Sequence, residues 1–296
     1  MSLLLALVLS PFLLGIIVKT KAFFAGRKGQ PLLQFYYDMV KLLQKGVVYS
    51  SSTTIVFRLS PWIALATTGT ALCILPLPGY SGWISFPGDF FVLFALLAVL
   101  RFSLVSSALD TGSSFEGMGA SREVFFSFLA EPALLLSFLV LSFSLEGYSL
   151  KELLSDPFSI RAEKTVVLYF ISVSLFIVLL AENARIPFDD PNTHLELTMI
   201  HEVMVLDHSG PDLAGILYSS ALKLWILGSL WVGISIPWRW GNYFLDLFVF
   251  LGSMGLLAVI IGIIESILAR VRMIRVSHAL SLATVLSGLA LLWTIG

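Results

Sequence analysis

The sequence predicts an all-α integral membrane protein with about eight transmembrane helices and one amphipathic helix at the cytoplasmic side. Of the 296 residues, 57% are hydrophobic and only 12% are charged, and the mean hydropathy is +0.93. Soluble domains carry about 25% charged residues, so a soluble fold is excluded. The apolar residues occur in stretches of the roughly 20 residues that a helix needs to cross a bilayer.

The predicted spans follow one another without a linker long enough to separate two domains. We therefore expect a single transmembrane domain over residues 1–296. The N-terminal stretch lacks the charged region and the cleavage site of a removed signal peptide, so it is expected to be the first span. The eight predicted spans are 2–19, 57–76, 88–109, 123–145, 165–184, 213–236, 244–268 and 277–295.

Residues 31–45, PLLQFYYDMVKLLQK, are too short and too charged to span a membrane. Their apolar positions recur near a helical period, which predicts an amphipathic helix that starts at Pro31. Such a helix either rests on lipid or forms one wall of a cavity that opens to the cytoplasm.

The distribution of Lys and Arg predicts the orientation. The positive-inside rule places the connection after the first span in the cytoplasm, because it holds Lys19, Lys21, Arg27, Lys28, Lys41 and Lys45. Both termini are then expected to face outward, and the polar connection 185–212 is expected to face the cytoplasm.

Composition limits the chemistry of this chain. The single cysteine, Cys73, excludes an internal disulfide or a cysteine-ligated iron–sulfur cluster. No long basic run indicates nucleic acid, and no phosphate loop, HExxH motif or nucleophile elbow is present. We expect no cofactor within the chain, so any redox centre would belong to a partner.

The stretch 181–212, AENARIPFDDPNTHLELTMIHEVMVLDHSGPD, combines many acidic residues with three of the four histidines. So many ionisable groups beside hydrocarbon are costly unless they face protein or water. This stretch predicts a buried polar site or a docking surface.

The histidines of this stretch, His194, His201 and His208, recur every seven residues. On one helix they would share a face, with about 10.5 Å between neighbours. Two of them could not bind the same ion, since each metal–nitrogen bond is about 2.1 Å long. We therefore expect no metal site.

Ionisable residues also lie within the predicted spans. An isolated charge at the bilayer centre costs roughly 2.5–3.5 kcal/mol, so these side chains are expected to face the bundle interior and to pair. One interpretation is a set of static ion pairs, such as Lys223 with Glu131 or Glu182. The other is a hydrated proton path from the cytoplasm to the middle of the membrane, with Glu131 and Lys223 at similar depth. The residues concerned are Arg101, Glu131, Glu182, Lys223 and Glu265.

Three motifs resemble one family of membrane subunits. AENARIPFDDPNTHLEL (181–197), GRKGQPLLQFYYDMVKLLQKG (26–46) and GASREVFFSFLAE (119–131) are similar, in this order, to segments of one subunit. It is the membrane subunit that respiratory complex I (subunit 1, or H) shares with membrane-bound nickel–iron hydrogenases. The resemblance covers essentially the whole chain.

The chain departs from the complex I branch at two places. Complex I has a run of glutamates where this chain has Asn192, Thr193 and His194, with Glu196 retained. Lys223 stands where complex I has a glutamate in the sixth span. THLELTMIHEVMVLDHSGPDLA (193–214) instead resembles the branch of group 4 hydrogenases that includes formate hydrogenlyase subunit 4.

The resemblance implies a membrane anchor that couples a peripheral redox arm to proton or sodium movement in a prokaryotic inner membrane. The implied partners are a nickel–iron-hydrogenase-like large subunit, an iron–sulfur small subunit, antiporter-like membrane subunits and membrane lipid. Candidates for ion coupling are Arg101, Glu131, Glu182, Glu196, Glu202, Lys223 and Glu265. Candidates for the junction with the arm are Arg122, Asp189, Asp190, His194, His201, Asp207 and His208.

Two rival functions stay open at this point. One is a quinone-binding subunit of a complex-I-like dehydrogenase, which purification with bound quinone would favour. The other is a stand-alone secondary transporter whose polar connection gates the substrate, which transport by a purified monomer would favour.

Overall fold

The computed structural model describes residues 2–76, 82–145, 147–155, 165–189, 199–236 and 241–295. Every regular element within these ranges is helical, which confirms the predicted fold class. The first five helices are α1 (Ser2–Phe24), α2 (Gln34–Leu43), α3 (Ile55–Ile74), α4 (Asp89–Asp110) and α5 (Ser114–Leu145). They are followed by α6 (Leu150–Ser155), α7 (Thr165–Glu182), a short 3₁₀ helix (Glu202–Val205), α8 (Gly210–Ser235), α9 (Tyr243–Ile267) and α10 (Met273–Ile295).

Seven of the described helices, α1, α3, α4, α5, α8, α9 and α10, are long and apolar enough to cross a membrane. The predicted span 165–184 corresponds to α7, which has 18 residues and is the shortest of the apolar helices. At 1.5 Å per residue it is about 27 Å long, close to the thickness of the hydrocarbon core. The largest difference from the prediction is α5, which begins at Ser114 rather than near 123.

Helix α8 lies at the centre of the bundle. It packs against α1, α2, α3, α7 and α9, and far more of it is buried than of the other long helices described. The remaining long helices pack in three groups around it: α1 with α9, α3 with α4, and α5 with α7 and α10. Because α8 is surrounded by protein, its one lysine, Lys223, is buried within the bundle.

The predicted amphipathic helix is α2. It begins after a turn in which the Gln34 N–H donates to the Pro31 carbonyl at 3.1 Å. This turn packs against α1 at Gly15, where a Cβ atom would collide with the Leu32 carbonyl oxygen. Tyr36 also donates to the Val8 carbonyl of α1. One face of α2 is therefore held on the bundle, while Val40 and Leu43 stay exposed on the other.

Several connections meet at one end of the bundle, which we call the connection end: 25–54, 111–113, 183–189, 199–209 and 268–272. Tyr49 donates to the Asp212 carboxylate at 2.8 Å, and the Thr54 N–H donates to Asp110 at 2.7 Å. The Val271 N–H donates to the Pro187 carbonyl at 3.0 Å. These bonds fix the connections over the ends of α4, α8 and α9, where the charged side chains collect.

Candidate functional site

A cavity of about 290 Å³, which we call the central cavity, opens between α1, α2, α4, α8 and the connection end. Its apolar wall comes from residues such as Leu14, Ile17 and Phe35. The contribution of Phe35 confirms that α2 forms one wall of a cavity. The polar wall consists of charged or hydrogen-bonding side chains, and includes Lys21, Arg101, Glu123, Glu182, Asn183, Arg185, Asp189, His201, Glu202, Lys223 and Glu265.

Glu182, the last residue of α7, lies between two cations. One carboxylate oxygen is 2.7 Å from the Lys223 Nζ, and the other accepts from the Arg101 Nη2 at 2.8 Å. The Glu182 side chain is only 5% exposed. A carboxylate buried this deeply requires opposite charges close by, and α4 and α8 each supply one.

Arg101 contacts three carboxylates. Besides Glu182, it donates to Glu131 through Nη1, and its Nε lies 3.6 Å from the Glu123 Oε1. Glu123 and Glu131 are both on α5, eight residues apart. Eight residues are just over two helical turns, so both carboxylates can face α4.

A second cavity, of about 220 Å³, lies on the other side of Arg101. Most of its wall is apolar and includes Phe91, Phe94 and Leu135, while its charged residues are Arg101, Glu131 and Glu182. The Glu131 side chain is 48% exposed, in contrast to 11% for Arg101. Arg101 and Glu182 line both cavities, so this ion pair forms the wall between them.

A separate group of charges lies where α1, α7 and α9 end. The buried Glu265 pairs with Lys21 at 2.9 Å and with Arg185 at 3.4 Å. Burial lowers the pKa of the Arg185 guanidinium, while Glu265 favours its charged form. Within the described residues, the ion pairs of both groups and of Asp189 join five cations (Lys21, Arg101, Arg185, Lys223 and Arg270) to five carboxylates (Glu123, Glu131, Glu182, Asp189 and Glu265).

Asp189 organises the connection between α7 and α8. Its Oδ2 accepts from the backbone N–H groups of Ile200 and His201 at 3.1 and 3.3 Å, and its Oδ1 pairs with Arg270 at 3.1 Å. Asp189 is buried, so it stabilises the fold of this connection from the protein interior and is not accessible to solvent. Exposed surface at this point comes instead from Leu206 and Asp207.

In the described part of the connection, His201 and His208 do not lie on a common helix. His201 precedes the 3₁₀ helix and His208 follows it, because Asp189 and α5 hold this segment in a tight turn. His201 Nε2 lies 3.4 Å from the Glu123 Oε2. His208 stacks on Phe57 with 3.8 Å between ring centroids and bonds Ser107 at 2.9 Å.

The environment of His208 keeps it neutral. Burial lowers the pKa of its imidazole from 6.5 to about 4. It therefore acts as an uncharged anchor between the connection and α3 and α4. The junction candidate Arg122 also contacts this segment, since its Nη1 donates to the Met199 carbonyl at 2.6 Å.

The structure corrects one predicted ion pair. Glu131 pairs with Arg101, and Lys223 pairs with Glu182, so the suggested Glu131–Lys223 pair is wrong while Lys223–Glu182 is confirmed. Depth along the helices could not decide this, because the pairing depends on which helices are neighbours. The candidates Asp190, His194 and Glu196 lie outside the described residues.

Sequence reasoning missed several members of the site: Glu123, Lys21, Arg185 and Arg270. Glu123 was overlooked because it stood at the predicted start of a span, whereas it lies well inside α5. Its spacing to Glu131 was the available signal. The other three are ordinary flanking cations in sequence and gain their role from the carboxylate that each one meets.

Comparison with known proteins shows to which family the chain belongs. The family described as NADH dehydrogenase matches residues 1–295. The chain belongs to this family. The membership confirms the resemblance that the three motifs indicated.

Two relatives of this NADH dehydrogenase family member come from Escherichia coli (strain K12). Hydrogenase-4 component C is 31% identical over 297 residues, which cover 98% of this chain and 93% of that protein. Formate hydrogenlyase subunit 4 is 28% identical over 270 residues, which cover 89% and 87%.

A similar fold occurs in a chain of the membrane-bound sulfane sulfur reductase (MBS), an archaeal respiratory membrane complex. The TM-score is 0.83, with 19% sequence identity, over 99% of this chain and 96% of that one. This multi-pass helical architecture is therefore shared across the length of the chain.

Proposed function

We propose that this chain is the membrane anchor and ion-coupling subunit of a complex-I-like, membrane-bound hydrogenase. The family and the two relatives, which are a hydrogenase component and a formate hydrogenlyase subunit, support this assignment. In this proposal the redox centres belong to a peripheral arm with nickel–iron-type and iron–sulfur subunits. Antiporter-like membrane subunits are the further partners, and protons or sodium ions are the species moved.

The observation that carries the coupling role is the Arg101–Glu182 pair between the two cavities. A carboxylate that gains a proton loses most of its attraction for a neighbouring cation. Arg101 stays charged, so its side chain then favours the carboxylates that remain ionised. A proton that reaches the more exposed Glu131 in the second cavity thereby strengthens the pair of Arg101 with Glu182 on the side of the central cavity.

The connection end is the surface proposed for the arm. It carries the exposed Asp207 and the partly exposed His201 and Glu202 directly above the central cavity. Buried Asp189 and His208 hold this segment in shape. A conformational change of the arm at this surface would therefore act on residues that lie next to the ion pairs of the central cavity.

The proposed orientation places the connection end in the cytoplasm and both termini outside. Its basis is the Lys and Arg bias of the connections. Labelling of single cysteines introduced in a Cys73→Ser background tests it. We expect a cysteine at Asp207 to react with a membrane-impermeant reagent from the cytoplasmic side, and reaction only from outside would overturn the orientation.

The coupling role is tested with Glu131→Gln in the assembled complex in membrane vesicles. The amide keeps the size and hydrogen-bonding capacity of the side chain but cannot carry a proton. We expect the number of ions moved per electron to fall several-fold. Assembly should persist because Arg101 retains Glu182 and Glu123.

The matched control is Glu116→Gln on the same helix. Glu116 is buried, accepts from the Asp207 N–H at 3.1 Å, and contributes to neither cavity wall. We expect the ratio of ions to electrons to stay at the wild-type level in this variant. An unchanged ratio in Glu131→Gln would contradict the coupling role.

A further inference from the structure

Glu123 is placed between two nitrogen atoms without a hydrogen bond to either. Its Oε1 is 3.6 Å from the Arg101 Nε, and its Oε2 is 3.4 Å from the His201 Nε2. Both nitrogens are buried and have no hydrogen-bond partner among the described residues. The Glu123 side chain is only 7% exposed, and it forms part of the wall of the central cavity together with Arg101 and His201.

This arrangement favours movement of the carboxylate. An N–H···O hydrogen bond is usually about 2.9 Å long, so a shift of less than about 1 Å would complete one of the two bonds. The two partners approach different oxygens, and a shift toward Arg101 therefore draws Glu123 away from His201. Buried polar groups left without partners are unfavourable, so both shifted arrangements are better satisfied than the intermediate one.

The two partners belong to different parts of the proposed mechanism. Arg101 lies on α4 and binds Glu131 and Glu182, which are the coupling carboxylates. His201 lies on the connection that covers the central cavity. The same connection rests on α5 one turn before Glu123, where a Cβ atom on Gly119 would lie 3.0 Å from the Ile200 carbonyl oxygen.

We infer that Glu123 alternates between His201 and Arg101 and so transmits the position of the connection to the coupling carboxylates. When the connection approaches α5, Glu123 bonds to His201, and Arg101 is shared by Glu131 and Glu182 alone. When the connection withdraws, Glu123 bonds to Arg101 and draws the guanidinium from Glu131. Glu123 and His201 are positioning residues in this scheme, which rests on the proposed coupling function.

The decisive variant is His201→Lys, studied in the assembled complex in vesicles. A lysine places a permanent cation beside Glu123 and would strengthen any static ion pair. Alternation instead requires a partner that holds Glu123 weakly, so a permanent cation fixes it at the connection. We expect the ions moved per electron to fall at least about threefold, and a wild-type ratio in His201→Lys would overturn the inference.

The matched control is His278→Lys. His278 is an exposed residue near the start of α10 and contributes to neither cavity wall. The His278→Lys substitution makes the same chemical change at a site away from the connection. We expect a wild-type ratio of ions to electrons, and an equal loss in this control would remove the support that His201→Lys gives.

A second measurement does not depend on ion movement. Glu123→Gln weakens the attraction for His201, so amide hydrogen exchange in 199–206 should accelerate about threefold. Glu131→Gln, which leaves this contact intact, should not accelerate it. Unchanged exchange in Glu123→Gln would exclude the contact. If Glu131→Gln stops coupling while His201→Lys and Glu123→Gln change nothing, the alternation fails and the proposed function stands.

Discussion

Glu182 binds Lys223 at 2.7 Å through one carboxylate oxygen and Arg101 at 2.8 Å through the other. The three residues come from α7, α8 and α4, so this contact joins three helices at the centre of the bundle. If one charge of such a group is removed, the opposite charges stay buried without a partner. This lowers the free energy of unfolding, because an unpaired buried charge is strongly unfavourable. The order in which the three residues tolerate substitution follows from their numbers of partners.

We predict that Glu182→Gln is more destabilising than Lys223→Met, because Glu182 pairs with two cations and Lys223 with one carboxylate. It leaves Arg101 and Lys223 without the carboxylate that they share, at a cost of about 3–5 kcal/mol. Lys223→Met should cost less, since Glu182 keeps Arg101. The apparent melting temperature of the detergent-purified protein measures both effects.

The double variant Glu182→Gln/Lys223→Met provides the control. It removes one unmatched cation, so we expect part of the lost stability to return. Additive losses in the double variant would show that Lys223 and Glu182 do not depend on each other.

Gly119 offers a test of the contact between α5 and the connection. An alanine Cβ would collide with the Val203 Cγ1 and would meet the Ile200 carbonyl oxygen at 3.0 Å and the Met204 Cγ at 3.1 Å. We predict that Gly119→Ala shifts 199–205 away from α5 and lengthens the His201–Glu123 distance. Amide exchange in 199–205 should accelerate, and the ions moved per electron should fall.

Gly117→Ala is the matched control, because a Cβ atom there meets no described atom within 4 Å. The same residue type is introduced on the same helix, so both should be equally helical. Equal exchange rates in the two variants would contradict the prediction for Gly119.

Most of the fold could be predicted from the sequence, whereas the pairing of the charges could not. Apolar length and helical period located the spans and α2, since both depend on local sequence. The partner of Glu131 depends on the neighbourhood of α4 and α5, which no local pattern specifies. The equal spacing of the histidines does not correspond to a common helix, because the Asp189 carboxylate holds Ile200 and His201 in a turn.

Asp189 gives a prediction for the proposed junction with the arm. We expect Asp189→Asn to destabilise the connection. The neutral amide loses the ion pair with Arg270 and is a weaker hydrogen-bond acceptor for the N–H groups of Ile200 and His201. Peripheral subunits should then dissociate from washed membranes more readily while this chain stays in the membrane. Immunoblots of the membrane and soluble fractions measure the effect.

The control for Asp189 is Asp207→Asn, which removes a carboxylate from the exposed part of the same connection. Release by Asp189→Asn with faster amide exchange in 199–206 would assign its effect to the fold of the connection. Release by Asp207→Asn without faster exchange would indicate direct contact with the arm. Retention of the arm in both variants would contradict docking at this surface.

His208 predicts the response of the connection to acid. Burial lowers the pKa of its imidazole from 6.5 to about 4, so the folded protein binds a proton less readily than the unfolded chain. Between these two values the unfolded state holds more protons, and stability therefore falls as the pH falls. From pH 7 to pH 5 the loss should be about 2 kcal/mol.

Melting of the detergent-purified protein at pH 7 and pH 5 tests this loss against two variants. His208→Gln removes the titration, so it should melt lower than wild type at pH 7 but change less between the two pH values. Ser107→Ala removes the partner at 2.9 Å and leaves the buried imidazole on Phe57. It should keep the full acid sensitivity. An equal decrease in wild type and His208→Gln would assign the acid sensitivity to other groups, and would leave His208 as a packing residue between the connection and α3.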